Sequence, residues 1–220
     1  MNKIYLLGGF GTPAGIDILQ KIVKIFENSN KINSDSDYIK FCLDSHPSEY
    51  NHITEEECNK SLIDGIDRAK MHYKSCKNIS KLILAIGCNT MHLAMFNYLE
   101  KNKLPKYIKF VSIMDVVSKS LINSKKKIFL WSTKETYNKK IYHKILKKNN
   151  LTIENNTDDI LTLIEKLMMM KKCNNNCINI TKTLISKFPN NSIIILGCTD
   201  LPLEYDVIKE FSDKKNIKIV

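Results

Sequence analysis

Two hydrophobic rhythms alternate along the chain. Seven short, nearly all-apolar runs read as strands: Lys3–Leu7, Tyr38–Leu43, Lys81–Ile86, Phe110–Ile113, Lys127–Trp131, Ser192–Leu196 and Ile217–Val220. Short apolar runs without polar alternation suit strands covered on both faces. Between them lie segments with helical spacing. Ala14–Asn28 sets Ile18, Ile22, Ile25 and Phe26 on one stripe. Thr54–Tyr73 opens on Thr54-Glu55-Glu56-Glu57, a capping box with acids in the first turn. Met91–Lys101, Tyr137–Lys148, Asp158–Lys171 and Cys177–Lys187 complete the helical set, with Thr136 and Thr157 as N-caps. Strands and helices in alternation predict a parallel α/β architecture.

Two of the strand segments recur in the second half. Lys3-Ile-Tyr-Leu-Leu-Gly resembles Lys127-Ile-Phe-Leu-Trp-Ser, and Leu84-Ala-Ile-Gly-Cys-Asn resembles Ile194-Ile-Leu-Gly-Cys-Thr, in the same order. Two half-sized α/β lobes with one layout would produce this. Cys88 and Cys198 then occupy equivalent places, each after an apolar strand and a glycine, each before a small polar residue. In open α/β sheets, ligands bind outside the carboxyl ends of the strands. A thiol there, at a helix N-terminus, sees the positive end of the dipole, which makes thiolate accessible near neutral pH. A buried cysteine behaving as a small hydrophobe is the plainer reading of either turn alone; two matching turns favour chemistry.

Composition narrows the classes. At 43% hydrophobic and 26% charged, the chain is ordinary for a globular protein. No apolar run approaches the ~20 residues of a membrane span. The apolar N-terminal stretch is broken by Gly8 and Gly9 and followed by Asp17, so it reads as a first strand rather than a signal peptide. The net charge of +11 points to nucleic acid at first sight. Yet thirty-three of the thirty-four basic residues are lysines and Arg68 is the one arginine. Lysine, asparagine and isoleucine together dominate, as A/T-rich codons produce, and arginine is the preferred side chain for phosphate and guanine contacts. No nucleic-acid partner and no membrane partner is expected. The seven cysteines are scattered, which suits reduced thiols in a cytoplasmic protein. Cys173 and Cys177 are a close pair, but they lack two further zinc ligands at matching spacing, so no metal is expected.

The chain resembles the aspartate/glutamate racemase superfamily, the cofactor-independent amino-acid racemases. The resemblance is carried by Gly8-Gly9-Phe10-Gly11, Cys88-Asn89-Thr90-Met91-His92, Ser132-Thr133-Lys134-Glu135-Thr136 and Gly197-Cys198-Thr199-Asp200-Leu201-Pro202-Leu203, in the family's order. It implies two pseudo-symmetric α/β lobes, each a mostly parallel sheet flanked by helices, with the active site between them. The first lobe would comprise residues 1–114 with 206–220 and carry Cys88, and the second residues 115–205 with Cys198. It also implies a homodimer, and a last helix beyond Val220 that packs on the first lobe. Thr12, Gly15 and Asp200 depart from the family's usual Pro, Thr and Glu.

Racemising an amino acid means removing the α-proton from one face and returning one on the other, which calls for two acid/base groups. A thiol of pKa ~8.5 can serve in either state once tuned. The carbanion still needs oriented donors. Gly9, Asn89, Thr90, Thr133, Thr136 and Thr199 are the candidates for substrate binding. No cofactor is called for: there is no phosphate-binding loop, and the Gly8–Gly11 stretch lacks the dinucleotide spacing. His92 either orients the Cys88 thiolate or sits on a helix surface. His72 and His143 read as surface residues, and Arg68 as facing away from the site. For a substrate side chain, His46 and His52 lie in one loop, and His52 stands where aspartate-specific relatives carry a loop arginine. Met169 stands where they carry a lysine, with Lys171 and Lys172 close in register. The resemblance therefore implies an α-carboxylate held as in the family without a strong preference for aspartate. A maleate-isomerase-like or hydantoin-racemase-like enzyme with the same thiols, and a catalytically silent small-molecule-binding protein, are the competing readings.

Overall fold

The computed structural model describes residues 2–9, 11–29, 32–46, 54–170 and 175–220. The chain divides into two compact units, Met1–Ile113 and Met114–Val220. In the first, β1 (Asn2–Leu7), α1 (Thr12–Glu27), β2 (Lys40–Asp44), α2 (Glu55–Ser75), β3 (Lys81–Ile86), α3 (Met91–Lys101) and β4 (Ile108–Phe110) follow one another, and α4 (Ile113–Ser120) starts at the junction. Its sheet has the order β2-β1-β3-β4, and every pairing is parallel. Leu7, Leu62, Ile66, Leu82, Leu84, Ile86 and Met95 fill the core, so α2 and α3 are held by burial of one apolar face each.

The second unit continues with β5 (Ile128–Trp131), α5 (Lys134–Asn138), α6 (Ile141–Lys147), α7 (Asp158–Met168), α8 (Asn175–Ser186), β6 (Ile193–Leu196), α9 (Tyr205–Asp213) and β7 (Lys218–Ile219). Its sheet runs β5-β6-β7, again all parallel. Ile153 adds a parallel bridge to Ile128 on the far side of β5. The spatial order Ile153-β5-β6-β7 is thus the order β2-β1-β3-β4 of the first unit, visited in the same chain order. This equivalence corrects the expected lobe boundary. Residues 206–220 belong to the second unit: α9 packs beside α8, and β7 takes the place that β4 has in the first sheet.

Two local readings also change. Tyr137–Lys148 is not one helix, because Lys140 adopts a left-handed conformation with φ of 53° and separates α5 from α6. The stripe expected on α1 is incomplete, since Ile25 is 66% exposed. Among the described residues, no helix is long and apolar enough to cross a membrane. A lysine in the left-handed region carries a steric penalty of about 1 kcal/mol that glycine does not. Lys140 is exposed, so Lys140→Gly should leave the fold intact and raise unfolding stability by up to about 1 kcal/mol. Urea denaturation checks this, and a loss of stability would show that the helix break is not imposed by the backbone.

Candidate active site

The Gly-Cys turn of each unit is built by the same device. In the first unit, Leu7 of β1 lies beside Ile86 of β3, and the Gly87 N–H donates to the Leu7 carbonyl at 2.8 Å. In the second, Trp131 of β5 lies beside Leu196 of β6, and the Gly197 N–H donates to the Trp131 carbonyl. The repeat seen in the sequence is therefore in register in three dimensions. Each glycine extends its ladder by one bond, and the next residue, Cys88 or Cys198, steps off the strand end. At Gly197 a side chain would run into Leu130.

Cys88 is half-buried, and the turn after it enters α3. Asn89 is buried, and Thr90 stands at the N-cap position. His92 is fully buried and is no surface residue. Its Nδ1 lies 2.8 Å from the Cys88 carbonyl oxygen, and its Nε2 takes the Ile113 N–H at 3.3 Å. Gly9, at φ of +95°, brings its backbone against that of His46, closer than any side chain would permit. The loops after β1 and β2 are thereby seated on each other at the carboxyl end of the sheet.

Beside them lies a charged cluster that the sequence reading did not anticipate. Asp44, the last residue of β2, is buried. Its Oδ2 accepts from the Tyr5 hydroxyl at 2.8 Å and from Arg68 Nε at 2.9 Å. Its Oδ1 meets His46 Nε2 at 2.9 Å. Arg68 thus turns inward to a carboxylate, which corrects its expected outward placement. Burial and the Asp44 carboxylate push the Tyr5 phenol far above its ordinary value. His46 itself is exposed. His72 lies under this cluster, 5.2 Å from the Tyr5 ring and with Nε2 3.5 Å from Cys76 Sγ; it is not a surface residue.

In the second unit Cys198 is half-buried, and its Sγ lies 4.0 Å from Asp200 Oδ2. Burial raises the Asp200 carboxyl. Tyr142 is fully buried, and its phenol is pushed well up by desolvation first and by Cys198 second. Thr133 caps α5: its hydroxyl accepts from the Thr136 N–H at 3.1 Å and donates to the Thr136 hydroxyl at 3.0 Å. Thr136 is buried within that cap, and Thr199 stays half-buried beside Cys198. His143 has a buried Nδ1 and packs edge-on to Tyr137 at 5.3 Å, so it too departs from the surface reading. His52, Lys171 and Lys172 lie outside the described residues, as does Cys173. Met169 is 82% exposed. Among the described residues, no group of three His, Cys, Asp or Glu side chains could hold a metal ion.

Solved structures share this architecture over the entire chain. The aspartate racemase of Picrophilus torridus superposes with a TM-score of 0.72 at 20% identity, covering 100% of this chain and 89% of that one. An aspartate racemase homologue from Pyrococcus horikoshii gives 0.72 at 19% identity, covering 100% and 92%. A glutamate racemase isoform from Bacillus anthracis gives 0.69 at 18%, covering 100% and 76%. The chain has the aspartate/glutamate racemase fold. No protein-family model and no curated protein matches the chain significantly.

Within this racemase fold, the strand pattern and the two cysteine turns were readable from the sequence, whereas Asp44, Tyr5 and Tyr142 were not. Asp44 closes an apolar strand with one charge, Phe41-Cys42-Leu43-Asp44, and that was the signal available. The asparagine amide is neutral and keeps one accepting oxygen, so Arg68 loses its counter-charge and shares that oxygen with the Tyr5 hydroxyl. Asp44→Asn should destabilise the protein by about 2 kcal/mol in urea unfolding; a change below about 0.5 kcal/mol, as at an ordinary surface site, would contradict the network. Two half-buried histidines, His72 and His143, predict a pH dependence. Burial holds the His72 and His143 imidazoles below their ordinary value, with Lys3 and Lys140 adding smaller like-charge effects. The unfolded chain therefore binds more protons just below pH ~6.5, and stability falls as pH falls through that range. The urea midpoint should drop between pH 7 and pH 5.5, on the scale set by the ordinary histidine value, and the drop should shrink in His72→Gln/His143→Gln.

Proposed function

We propose that this chain is a cofactor-independent amino-acid racemase that moves the α-proton with Cys88 and Cys198. The single observation that carries the reading is the matched pair of Gly-Cys turns on register-equivalent strands. The fold shared with aspartate and glutamate racemases supports it. Two identical acid/base groups at equivalent strand ends are what a symmetric 1,1-proton transfer calls for, because the enzyme must run in both directions. In one direction one cysteine, as thiolate, takes the α-proton, and the other, as thiol, returns one to the opposite face of Cα. In the reverse direction the roles exchange.

The chain's own groups support each thiol differently. Cys88 precedes the eleven-residue helix α3, whose N-terminal dipole favours the thiolate. Cys198 has the half-buried Asp200 carboxyl beside it, raised by burial and able to take the thiol proton. Asn89, Thr90 and Thr199 supply donors for the substrate's α-carboxylate, which lowers the barrier by stabilising charge that grows on the enolate-like carbanion. Thr133 and Thr136 act at one remove, through the cap that holds α5 against the end of β5.

Cys88→Ala and Cys198→Ala should each lower racemisation about 10³-fold, the range of a lost general acid or base. Each single variant should still wash solvent deuterium into Cα of one enantiomer only, the one whose proton faces the remaining thiol. Proton NMR in deuterium oxide on a panel of single enantiomers reads both effects. Full racemisation surviving in either variant would overturn the two-thiol assignment. Absence of exchange with every amino acid would favour a non-racemase enzyme or a small-molecule-binding protein.

A further inference from the structure

The hydrogen bonds of His92 settle its tautomer. A backbone N–H can only donate, so the Ile113 N–H, 3.3 Å from Nε2, requires a lone pair on that nitrogen. The proton then sits on Nδ1 and is given to the Cys88 carbonyl at 2.8 Å. The ring is fully buried, with Phe110 at 5.7 Å and Phe96 at 6.1 Å between centroids. A second proton on Nε2 would face the Ile113 N–H, donor against donor. His92 is therefore a neutral strut and no proton carrier for the neighbouring thiol.

That strut joins three pieces of the first unit. It stands in the first turn of α3, it grips the backbone of Cys88, and it accepts from Ile113, where the chain passes from the first unit into α4. The first turn of α3 is correspondingly tight: the His92 N–H bonds the Asn89 carbonyl and the Leu93 N–H bonds the Thr90 carbonyl. The Cys88 carbonyl lies outside that ladder and is taken by the imidazole. We propose that His92 is the positioning residue of Cys88, acting through the Nδ1–H bond that fixes the peptide from which the thiol projects. The proposal rests on the reading of Cys88 as an acid/base group, and its test is chosen to stand apart from that reading.

Asparagine and glutamine divide the two bonds. The asparagine amide overlays Nδ1 and can still donate to the Cys88 carbonyl. The glutamine amide overlays Nε2 and can still meet Ile113, but does not reach that carbonyl. The measurements on wild type, His92→Asn and His92→Gln are the thermal midpoint, the rate of Cys88 alkylation by iodoacetamide across pH 6–9.5 followed by mass spectrometry, and α-proton exchange. The expected result is near-wild-type alkylation and exchange in His92→Asn. In His92→Gln both should fall about tenfold or more, because a small displacement of a reacting group is costly. Thermal midpoints that match in the two variants show that this difference is not loss of fold. Indistinguishable Cys88 reactivity in the two variants would overturn the proposal. Should either variant fail to fold, nitrogen-15 NMR of wild-type imidazoles decides: one ring protonated on Nδ1 alone and unchanged from pH 5.5 to 9 supports the strut, and a titrating or Nε2-protonated His92 refutes it. If wild type exchanges no amino-acid proton, the racemase reading fails, while the alkylation comparison still judges His92.

Discussion

One hydrogen bond, made twice, sets the geometry on which the rest depends. Where β1 and β3 end side by side, the Gly87 N–H reaches the Leu7 carbonyl; where β5 and β6 end, the Gly197 N–H reaches the Trp131 carbonyl. A parallel ladder spaces its strands by about 4.8 Å, and its bonds fix one strand's advance relative to the next. Carrying the ladder one residue past the strand therefore determines where the following cysteine leaves the sheet. Glycine is needed there in the second unit because Leu130 and Ser132 occupy the space a side chain would take. The two cysteines owe their equivalence to this register and not to any likeness of the helices around them.

The same sheet ends show how a chain rich in lysine uses its one arginine. Arg68 is tied to Asp44, together with the Tyr5 hydroxyl and the His46 imidazole. A carboxylate this buried is tolerable only when its lone pairs are filled, and a guanidinium nitrogen and a phenol fill them with good geometry. Exposed lysines, whose ammonium groups are strongly hydrated, could not replace the arginine at that depth. The cluster braces the ends of β1 and β2 beside Gly9, whose φ of +95° allows the two loops to touch.

The two units reach the same strand order by different local means. In the first unit a full strand, β2, stands beside β1; in the second only Ile153 bridges to Ile128, and Asn156 secures the segment by donating to the Leu130 carbonyl. The observed boundary between the units differs from the expected one for this reason. A short β7 looks like an appendage until its pairing with β6 shows that it completes the second sheet. Likewise α5 and α6 share one apolar rhythm, and only the left-handed Lys140 separates them.

By itself the sequence determined what depends on neighbours in the chain. Apolar runs placed six of the seven strands within a residue or two, the Thr54 capping box placed the start of α2, and two Gly-Cys-polar turns marked the residues worth testing. These are local because strand burial, capping and turn chemistry act over a few residues. Tertiary structure decided which histidines are buried, where Arg68 points, that Asp44 anchors a network, and that residues 206–220 complete the second sheet. Such outcomes join groups distant in the chain, as His92 with Ile113, 21 positions apart, and Tyr5 with Asp44, 39 apart, or bring β7 onto β6. A periodic pattern records which face of an element is apolar. It does not record which element covers that face, and the partner of a buried polar group is settled only when that cover is in place.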